Sequence, residues 1–241
     1  RPHVACFFTG DELVMPGQPL PAGGIYNSNR FVLNALLRRL GCEVLDLGIV
    51  PDSREATRQA LREAAEGADL IISAGGVSVG EEDHVRPAVE AEGQIDLWRV
   101  AIKPGRPLAY GRVGRHGPEG ARAAVPGSFA HFIGLPGNPV SAYVTFLLFV
   151  RPFVLRLQGI QVVEPQAVTL ISGFDWTNPD RRREFLRAVH LPDGRLGLFR
   201  QQGSAVLTSA VVGHGLIDNP PGQTIRQGDA VRFLSFAELL N

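Results

Sequence analysis

Two glycine-bearing segments have residue types that suit the binding of an anion. The first reads GGVSVG at 75–80 and follows an apolar run, and the second reads GLPGNPVS at 134–141 and lies between a predicted strand and a predicted helix. Glycine lets backbone amides come close to a ligand, and a helix N-terminus adds a dipole that favours negative charge. Either segment alone is also typical of an ordinary turn or helix start, so the prediction of a phosphate site depends on both lying at one edge of a sheet.

Carboxylates follow three of the predicted strands. Glu12, Asp52 and Asp83 each come directly or shortly after a different apolar run. Carboxylates beside phosphate-binding amides suit Mg²⁺, which takes one or two of them together with phosphate oxygens and water. Asp52 is equally well explained as the cap of the next helix, because Glu55 stands three residues later.

Cations are concentrated in two places. Lys103 and Arg106 share the proline-stiffened turn KPGRP at 103–107, and Arg99 precedes them. Two cations that cannot move apart suit a fixed oxyanion. A second basic cluster, RRREFLR at 181–187, and the small donors QGS at 202–204 lie far along the chain, and residue type alone favours a solvated surface for them.

The composition excludes several classes of protein. Lys plus Arg number 24 and Asp plus Glu number 24, so the net charge is zero, which argues against general nucleic-acid binding. Two cysteines are too few for a disulfide scaffold, and the six histidines lack zinc-ligand spacing. The longest apolar run, 143–150, is short of the roughly 20 residues that span a bilayer, and the start of the chain has no signal-peptide pattern. We expect a cytoplasmic protein that binds small ligands in a pocket.

Strands and helices alternate over the first two-thirds of the chain. Hydrophobic periodicity predicts strands at 3–8, 43–48, 69–74, 95–102, 108–113 and 132–135, and helices at 29–40, from the Asp52 cap to about 66, at 85–92 and at 140–157. This alternation predicts an α/β fold with an open, mostly parallel sheet and helices on both faces. Ligands bind such sheets at the carboxyl ends of the strands, where the segments above converge. The Gly- and Pro-rich stretch 114–128 is expected to be a long mobile loop.

The pattern changes near residue 160. Short strands are predicted at 168–171, 185–191, 196–200, 205–212 and 231–234, with turn residues between them and no helix before the final residues. Strands at this spacing are typical of a small all-β barrel-like domain or sandwich. We therefore expect two domains, an α/β domain at 1–160 and a β-domain at 161–241.

Taken together, these segments resemble the molybdopterin molybdenumtransferase family, which includes bacterial MoeA and the gephyrin E domain. The motifs are TGDEL at 9–13, SN at 28–29, SAGGVSVGEED at 73–83, KPGRP at 103–107, LPGNPVSA at 135–142 and QGS at 202–204. The resemblance covers essentially the entire chain and implies a MogA-like molybdopterin-binding domain followed by the β-domain. It also implies the last step of molybdenum cofactor synthesis, in which adenylylated molybdopterin is hydrolysed with Mg²⁺, AMP leaves, and molybdate is inserted at the dithiolene sulfurs.

The resemblance also assigns roles to single residues. Substrate binding falls to Thr9, Gly10, Asn29, Gly75, Gly76, Val77, Ser78, Gly80, Pro136, Gly137 and Asn138. Catalysis falls to Glu12, Asp52, Asp83 and Lys103, with Glu12 and Asp83 as Mg²⁺ ligands. Molybdate binding falls to Arg99, Lys103, Arg106, Ser141, Arg182 and Ser204. The family commonly has lysine where Arg99 and Arg106 stand, so the oxyanion would meet a planar fork in place of a point charge.

Full-length members of the family carry about as much sequence again before this region. The chain is therefore expected to be a C-terminal half, which binds its ligands and is inactive or incomplete by itself. The resemblance further implies a homodimer, and molybdopterin adenylyltransferase as a pathway partner. Two alternatives stay open: a molybdopterin adenylyltransferase, which would not need residues 165–241, and a gephyrin-like scaffold or binding module without catalysis.

Overall fold

The computed structural model describes residues 1–77, 84–123, 125, 127–205 and 207–240. Its strands are β1 (His3–Thr9), β2 (Leu13–Val14), β3 (Ile25–Tyr26), β4 (Glu43–Val50), β5 (Leu70–Ala74), β6 (Gly93–Trp98), β7 (Ile102–Lys103), β8 (Ala109–Gly114), β9 (Phe129–Leu135), β10 (Val168–Ile171), β11 (Arg183–His190), β12 (Leu196–Leu198), β13 (Gly215–Asn219) and β14 (Ala230–Ser235). Its helices are α1 (Ser28–Arg39), α2 (Arg54–Gly67), α3 (Val85–Glu92), α4 (Pro118–Ala123), α5 (Pro139–Thr145), α6 (Arg151–Leu157), α7 (Thr208–Val212) and α8 (Phe236–Leu240), with a π-helical turn at Phe146–Val150 between α5 and α6.

The first part of the chain forms a six-stranded sheet in the order β4-β1-β5-β9-β8-β6. β1 pairs in parallel with β4 and β5, and β5 with β9, whereas β8 pairs antiparallel with β9 and β6. β5 is buried along its whole length, because helices cover both faces of a parallel sheet. The predicted α/β fold with a largely parallel sheet is confirmed.

Side chains of β1 alternate between two apolar cores, one on each face of the sheet. Cys6 and Phe8 pack with α1 and with the long helix formed by α5, the π-helical turn and α6, while Phe7 packs with α2 and α3. This alternation follows from the period of two along a strand. It fixes which helix N-termini reach the carboxyl ends of the strands.

The start of α2 differs from the sequence prediction. Ser53 occupies the N-cap, and its side-chain oxygen accepts a hydrogen bond from the backbone N–H of Ala56 at 3.3 Å. Asp52 precedes the cap and lines a cleft. The prediction that Asp52 caps this helix was therefore wrong, because Ser53, which caps a helix as well as an aspartate does, occupies that position.

A long helical segment runs over Pro139–Leu157, with Asn138 at the N-cap and Pro139 in the first turn as predicted. It has 19 residues and is long and apolar enough to cross a membrane, which the shorter apolar run did not indicate. However, 67% of its most apolar window is buried inside the molecule. The apolar side chains are therefore accounted for by the protein core, as in many soluble proteins.

Further segments differ from prediction. The predicted strand 95–102 is divided into β6, which ends at Trp98, and β7, which pairs with β11 of the second sheet. The stretch 114–128 holds helix α4, so it is not wholly a loop. Residues 205–212 were predicted as a strand, but 208–212 form helix α7, because periodicity does not separate a short apolar strand from a short helix. β13 was missed, since its Asp218 and Asn219 read as polar turn residues yet are buried against Arg183 and Gln223.

The last part of the chain is rich in sheet. Its strand order is β10-β14-β13-β11-β12, with antiparallel pairing along that path, and β7 from the first part pairs in parallel with β11. Phe185 of β11 and Phe236 of α8 join the same apolar core as Tyr143 of the long helix. The second sheet is thus packed against the long helix. The domain boundary near residue 160 stays a prediction.

Candidate functional site

A cleft of about 660 Å³ lies at the carboxyl ends of β1, β4, β5 and β9. The structure places nine of the residues expected to bind substrate in its walls, namely Thr9, Gly10, Asn29, Gly75, Gly76, Val77, Pro136, Gly137 and Asn138. Ser78 and Gly80 lie outside the described residues. The two glycine-bearing segments therefore lie side by side in the wall of a single cleft, because they follow neighbouring parallel strands that end at the same edge of the sheet.

The turn after β5 tolerates only glycine at two positions. Gly75 and Gly76 have φ angles of +99° and +62°, in the left-handed region that favours glycine. A Cβ on Gly75 would collide with the carbonyl oxygen of Thr9, and a Cβ on Gly76 would lie 2.8 Å from the Thr9 hydroxyl oxygen. The backbone of β5 consequently passes directly against the end of β1.

Two hydrogen bonds fix the position of the loop after β9. The side-chain amide of Asn29 donates to the carbonyl oxygen of Gly137 at 2.7 Å, and the N–H of Gly75 donates to the carbonyl oxygen of Leu135 at 3.1 Å. Asn29 stands in the first turn of α1, whose N-cap is Asn27. The cleft walls are therefore tied together by bonds that do not involve a ligand.

Thr9 carries a buried hydroxyl in the cleft wall. The residue is 3% exposed, and among the described residues its Oγ1 has no hydrogen-bond partner. A buried hydroxyl without a partner costs free energy. Thr9 is accordingly placed to donate to, or accept from, a polar group that enters the cleft.

Two of the three predicted metal-binding or catalytic carboxylates line the cleft. Glu12 is exposed and folds back over the backbone, since a Cβ on Gly10 would lie 2.7 Å from its Oε2. Asp52 is half-buried, and Asp83 lies outside the described residues. In the part of the chain that the structure describes, no three His, Cys, Asp or Glu side chains lie close enough together to hold a metal ion by themselves. Two carboxylates in one wall nevertheless fit Mg²⁺, which needs only one or two in addition to phosphate oxygens.

The residues expected to bind molybdate do not all converge. Ser141 is 5% exposed and lines the cleft, but Lys103, Arg106, Arg99, Arg182 and Ser204 do not. Arg99 and Arg106 are exposed. Ser204 reaches the start of α5, where its carbonyl oxygen accepts a hydrogen bond from the N–H of Val140 at 3.0 Å.

Lys103 lies in an ion-pair cluster beside the cleft. Its Nζ is 3.4 Å from a carboxylate oxygen of Asp180 and 3.4 Å from one of Glu184. β7 places it there, because Lys103 pairs in register with Glu184 of β11. The same turn touches the cleft, since Pro107 lines it and a Cβ on Gly105 would lie 3.7 Å from the carbonyl oxygen of Ser141.

A buried arginine was not singled out as a site residue from the sequence. Arg187 is 1% exposed, and its guanidinium donates to the carbonyl oxygens of Phe185 at 3.2 Å and Gly203 at 3.0 Å. No carboxylate of the described chain forms an ion pair with it, and burial lowers its pKa to about 10. The sequence signal that could have indicated its burial is the alternation of side chains along a strand, which places Arg187 on the same face of β11 as Phe185 and Val189.

Comparisons with known proteins agree with this architecture. Residues 5–156 match the family model described as a probable molybdopterin binding domain, and residues 169–236 match the model described as the MoeA C-terminal region, domain IV. A molybdopterin molybdenumtransferase of Haemophilus influenzae is 46% identical over 188 residues, which are 78% of this chain and 43% of that protein. One of Nostoc is 36% identical over 208 residues, 85% of this chain and 45% of that protein.

Solved structures show the same fold over nearly the whole chain. A molybdopterin biosynthesis MoeA protein of Pyrococcus horikoshii superposes with a TM-score of 0.78 at 26% identity, over 98% of this chain and 55% of that one. The chain thus spans about half the length of the relatives that it matches. By its sequence and its fold, it belongs to the molybdopterin-binding domain family and continues into the C-terminal region of the MoeA proteins.

Proposed function

We propose that this chain is the ligand-binding half of a cytoplasmic, homodimeric molybdopterin molybdenumtransferase. In that reaction adenylylated molybdopterin is hydrolysed at its pyrophosphate, AMP leaves, and molybdate is inserted at the dithiolene sulfurs, with Mg²⁺ as cofactor. The observation that carries the proposal is the cleft in which two glycine-bearing segments and two carboxylates meet. Relatives named molybdopterin molybdenumtransferase support it.

The glycine-bearing walls suit the phosphate groups of the substrate. Gly75 and Gly76 bring backbone close to the ligand, and the N-terminal end of the helix that starts at Pro139 adds a favourable dipole. Because these groups are fixed before the ligand arrives, little ordering cost is incurred on binding.

Glu12 and Asp52, with Asp83, would hold Mg²⁺. The ion supplies charge neutralisation at the phosphate oxygens when it is bound. Glu12 is exposed in the cleft wall, and Asp52, which is half-buried, lines the same cleft. Both carboxylates would therefore be available to the ion.

Lys103, Ser141 and Ser204 are retained as molybdate-binding residues, and Arg187 is added. Arg187 contributes a buried positive charge and holds the carbonyl of Gly203, which positions the adjoining Ser204 at the start of α5. Arg182 is paired with Asp180 at 2.8 Å, so it reaches an oxyanion only when that pair opens. Arg99 and Arg106, which were predicted to bind molybdate, are exposed, and here they are assigned to attracting the ion toward the site.

The test is an assay with adenylylated molybdopterin, Mg²⁺ and molybdate. The chain is incubated alone and together with the N-terminal region of a full-length relative, and AMP and active cofactor are measured. AMP release with cofactor formation, unchanged in the control Asp193→Asn in the exposed β11–β12 turn, supports the proposal. Consumption of ATP with molybdopterin as substrate would overturn it in favour of the adenylyltransferase. Binding without turnover in both preparations, with the N-terminal region present as well as absent, would favour the scaffold.

A further inference from the structure

The ion-pair cluster beside the cleft contains two cations and two carboxylates, which cancel in charge. Lys103 Nζ lies 3.4 Å from Oδ2 of Asp180 and 3.4 Å from Oε1 of Glu184. Arg182 donates from Nε to Oδ1 of Asp180 at 2.9 Å and from Nη2 to Oδ2 at 2.8 Å. A cluster without net charge has little attraction for a dianion. Lys103 and Arg182 therefore cannot bind molybdate until one carboxylate leaves.

Glu184 is not the carboxylate that leaves. Its side chain is 0% exposed, and its Oε2 accepts hydrogen bonds from Nε1 of Trp176 at 2.8 Å and Nδ2 of Asn219 at 3.4 Å. A buried carboxylate that loses its cation pays a large desolvation cost. Glu184 consequently fixes the Lys103 ammonium in place, which makes it a positioning residue.

Asp180 has the opposite character. Its side chain is 22% exposed, and among the described residues it contacts only Lys103 and Arg182, whose backbone N–H also donates to Oδ1 at 3.0 Å. Its backbone carbonyl accepts a hydrogen bond from the N–H of Gly222 at 2.8 Å, so the loop is anchored independently of the side chain, which can turn into solvent only when its bonds to Lys103 and Arg182 break. The hydrogen bonds from Arg182 hold the pKa of the Asp180 carboxyl well below its usual range, and the carboxylate is therefore charged.

The two oxygens of Asp180 are presented to two cations, as the oxygens of a tetrahedral oxyanion would be. We propose that Asp180 is an internal competitor for molybdate, which takes over its contacts with Lys103 and Arg182 while Glu184 keeps Lys103 in position. The inference rests on the proposed function for the identity of the oxyanion. Once Asp180 rotates away, the cluster carries a net positive charge, which favours a dianion over a monoanion.

The test measures binding of sodium molybdate to the full chain by titration calorimetry. Asp180→Asn is expected to bind about tenfold more tightly than the wild type, because the competing charge is gone, and Asp180→Ala should change in the same direction. Lys103→Ala is expected to bind at least about tenfold more weakly, and Glu184→Gln also more weakly, with partial recovery in Glu184→Asp. Asp193→Asn, which removes an exposed carboxylate paired with Arg195, is the matched control and should leave binding unchanged.

The variants separate two kinds of failure. If Lys103→Ala loses binding but both Asp180 variants bind as the wild type does or more weakly, Asp180 is no competitor, and the oxyanion site itself stands. If the wild type and Lys103→Ala bind alike, or if neither the wild type nor Asp180→Asn binds, Lys103 does not hold the oxyanion and the molybdate assignment fails too. Melting temperatures of all variants, compared with the wild type, show whether a loss reflects folding.

Discussion

Asn29 and Gly137, 108 positions apart in the sequence, are joined by a 2.7 Å hydrogen bond from the Asn29 side-chain amide to the Gly137 carbonyl. The bond ties the first turn of α1 to the loop that leads into α5. Asn29 is 8% exposed, so the bond is shielded from water and is worth more than an exposed one. It fixes the loop after β9 against the first turn of α1 in the cleft wall.

Replacing Asn29 by Asp tests that role. Aspartate has nearly the same shape but cannot donate, and it places a negative charge opposite a carbonyl oxygen. We expect a loss of about 1–3 kcal/mol in the free energy of unfolding and weaker binding of adenylylated molybdopterin. Asn178→Asp, at an exposed position, introduces the same charge as a control. Equal stability and binding in the two variants would show that the Asn29 bond does not support the cleft.

The close approach of Gly75 to Thr9 leads to a second prediction about the cleft wall. Gly75→Ala adds a Cβ against the Thr9 carbonyl, whereas Gly194→Ala, with φ of +82° and nothing within 4 Å, meets only the backbone cost of a left-handed conformation. We expect urea unfolding to show a loss of about 1–2 kcal/mol for Gly194→Ala and about 2 kcal/mol more for Gly75→Ala. Similar losses in both would mean that the close approach of β5 to Thr9 is relieved easily.

Local signals in the sequence predicted much of the fold correctly. Pro139 in the first turn of the long helix and Gly41 after α1, with φ of +79°, act within a few residues, so they can be recognised without tertiary information. β13 could not be recognised, because the burial of Asp218 depends on Arg183, 35 positions away. Polar residues are buried only when distant partners satisfy them.

The start of α2 separates a structural serine from a functional aspartate. Ser53→Ala removes the cap and should lower the free energy of unfolding by about 1 kcal/mol without changing the requirement for Mg²⁺. Asp52→Asn should change stability by about 0.5 kcal/mol or less, yet raise the Mg²⁺ concentration for half-maximal AMP release by about tenfold. The reverse pattern, a destabilised Asp52→Asn with a normal Mg²⁺ requirement, would return Asp52 to a purely structural role.

His131 gives the stability of the protein a pH dependence. Burial and the charge of Arg112 lower its pKa, Asp69 opposes them, and its Nδ1 lies 3.0 Å from the Tyr110 hydroxyl. In the unfolded chain the imidazole has its ordinary pKa and binds a proton more readily. Stability is therefore complete above the unfolded pKa, about 6.5, and is lost as the pH falls from there toward the lower folded pKa.

The variant His131→Phe isolates this effect, because it keeps a ring among Phe129 and Phe153 and cannot titrate. Between about pH 7.5 and about pH 5.5, the free energy of unfolding should fall more for the wild type than for the variant. The difference between the two slopes cancels other titrating groups. Parallel slopes would contradict a lowered pKa at His131.

Part of the candidate site could be predicted from the sequence, namely the two loops that line the cleft, whereas the surroundings of Lys103 could not. The loops that hold Gly75 and Gly137 meet in one cleft because they follow parallel strands. The environment of Lys103 was not predictable, because its neighbour Glu184 is 81 positions away and is brought there by the pairing of β7 with β11. The pairing of Arg182 with Asp180 is different, because the two residues are only two positions apart, and it is a local signal that was missed in the sequence.

The most direct test of the central claim is a crystal structure of this chain with adenylylated molybdopterin bound. We expect phosphate density within hydrogen-bonding distance of the Gly75–Gly76 backbone, beside the loop that Asn29 ties to α1. Phosphate density at another surface, with this cleft filled only by water at saturating ligand, would contradict it.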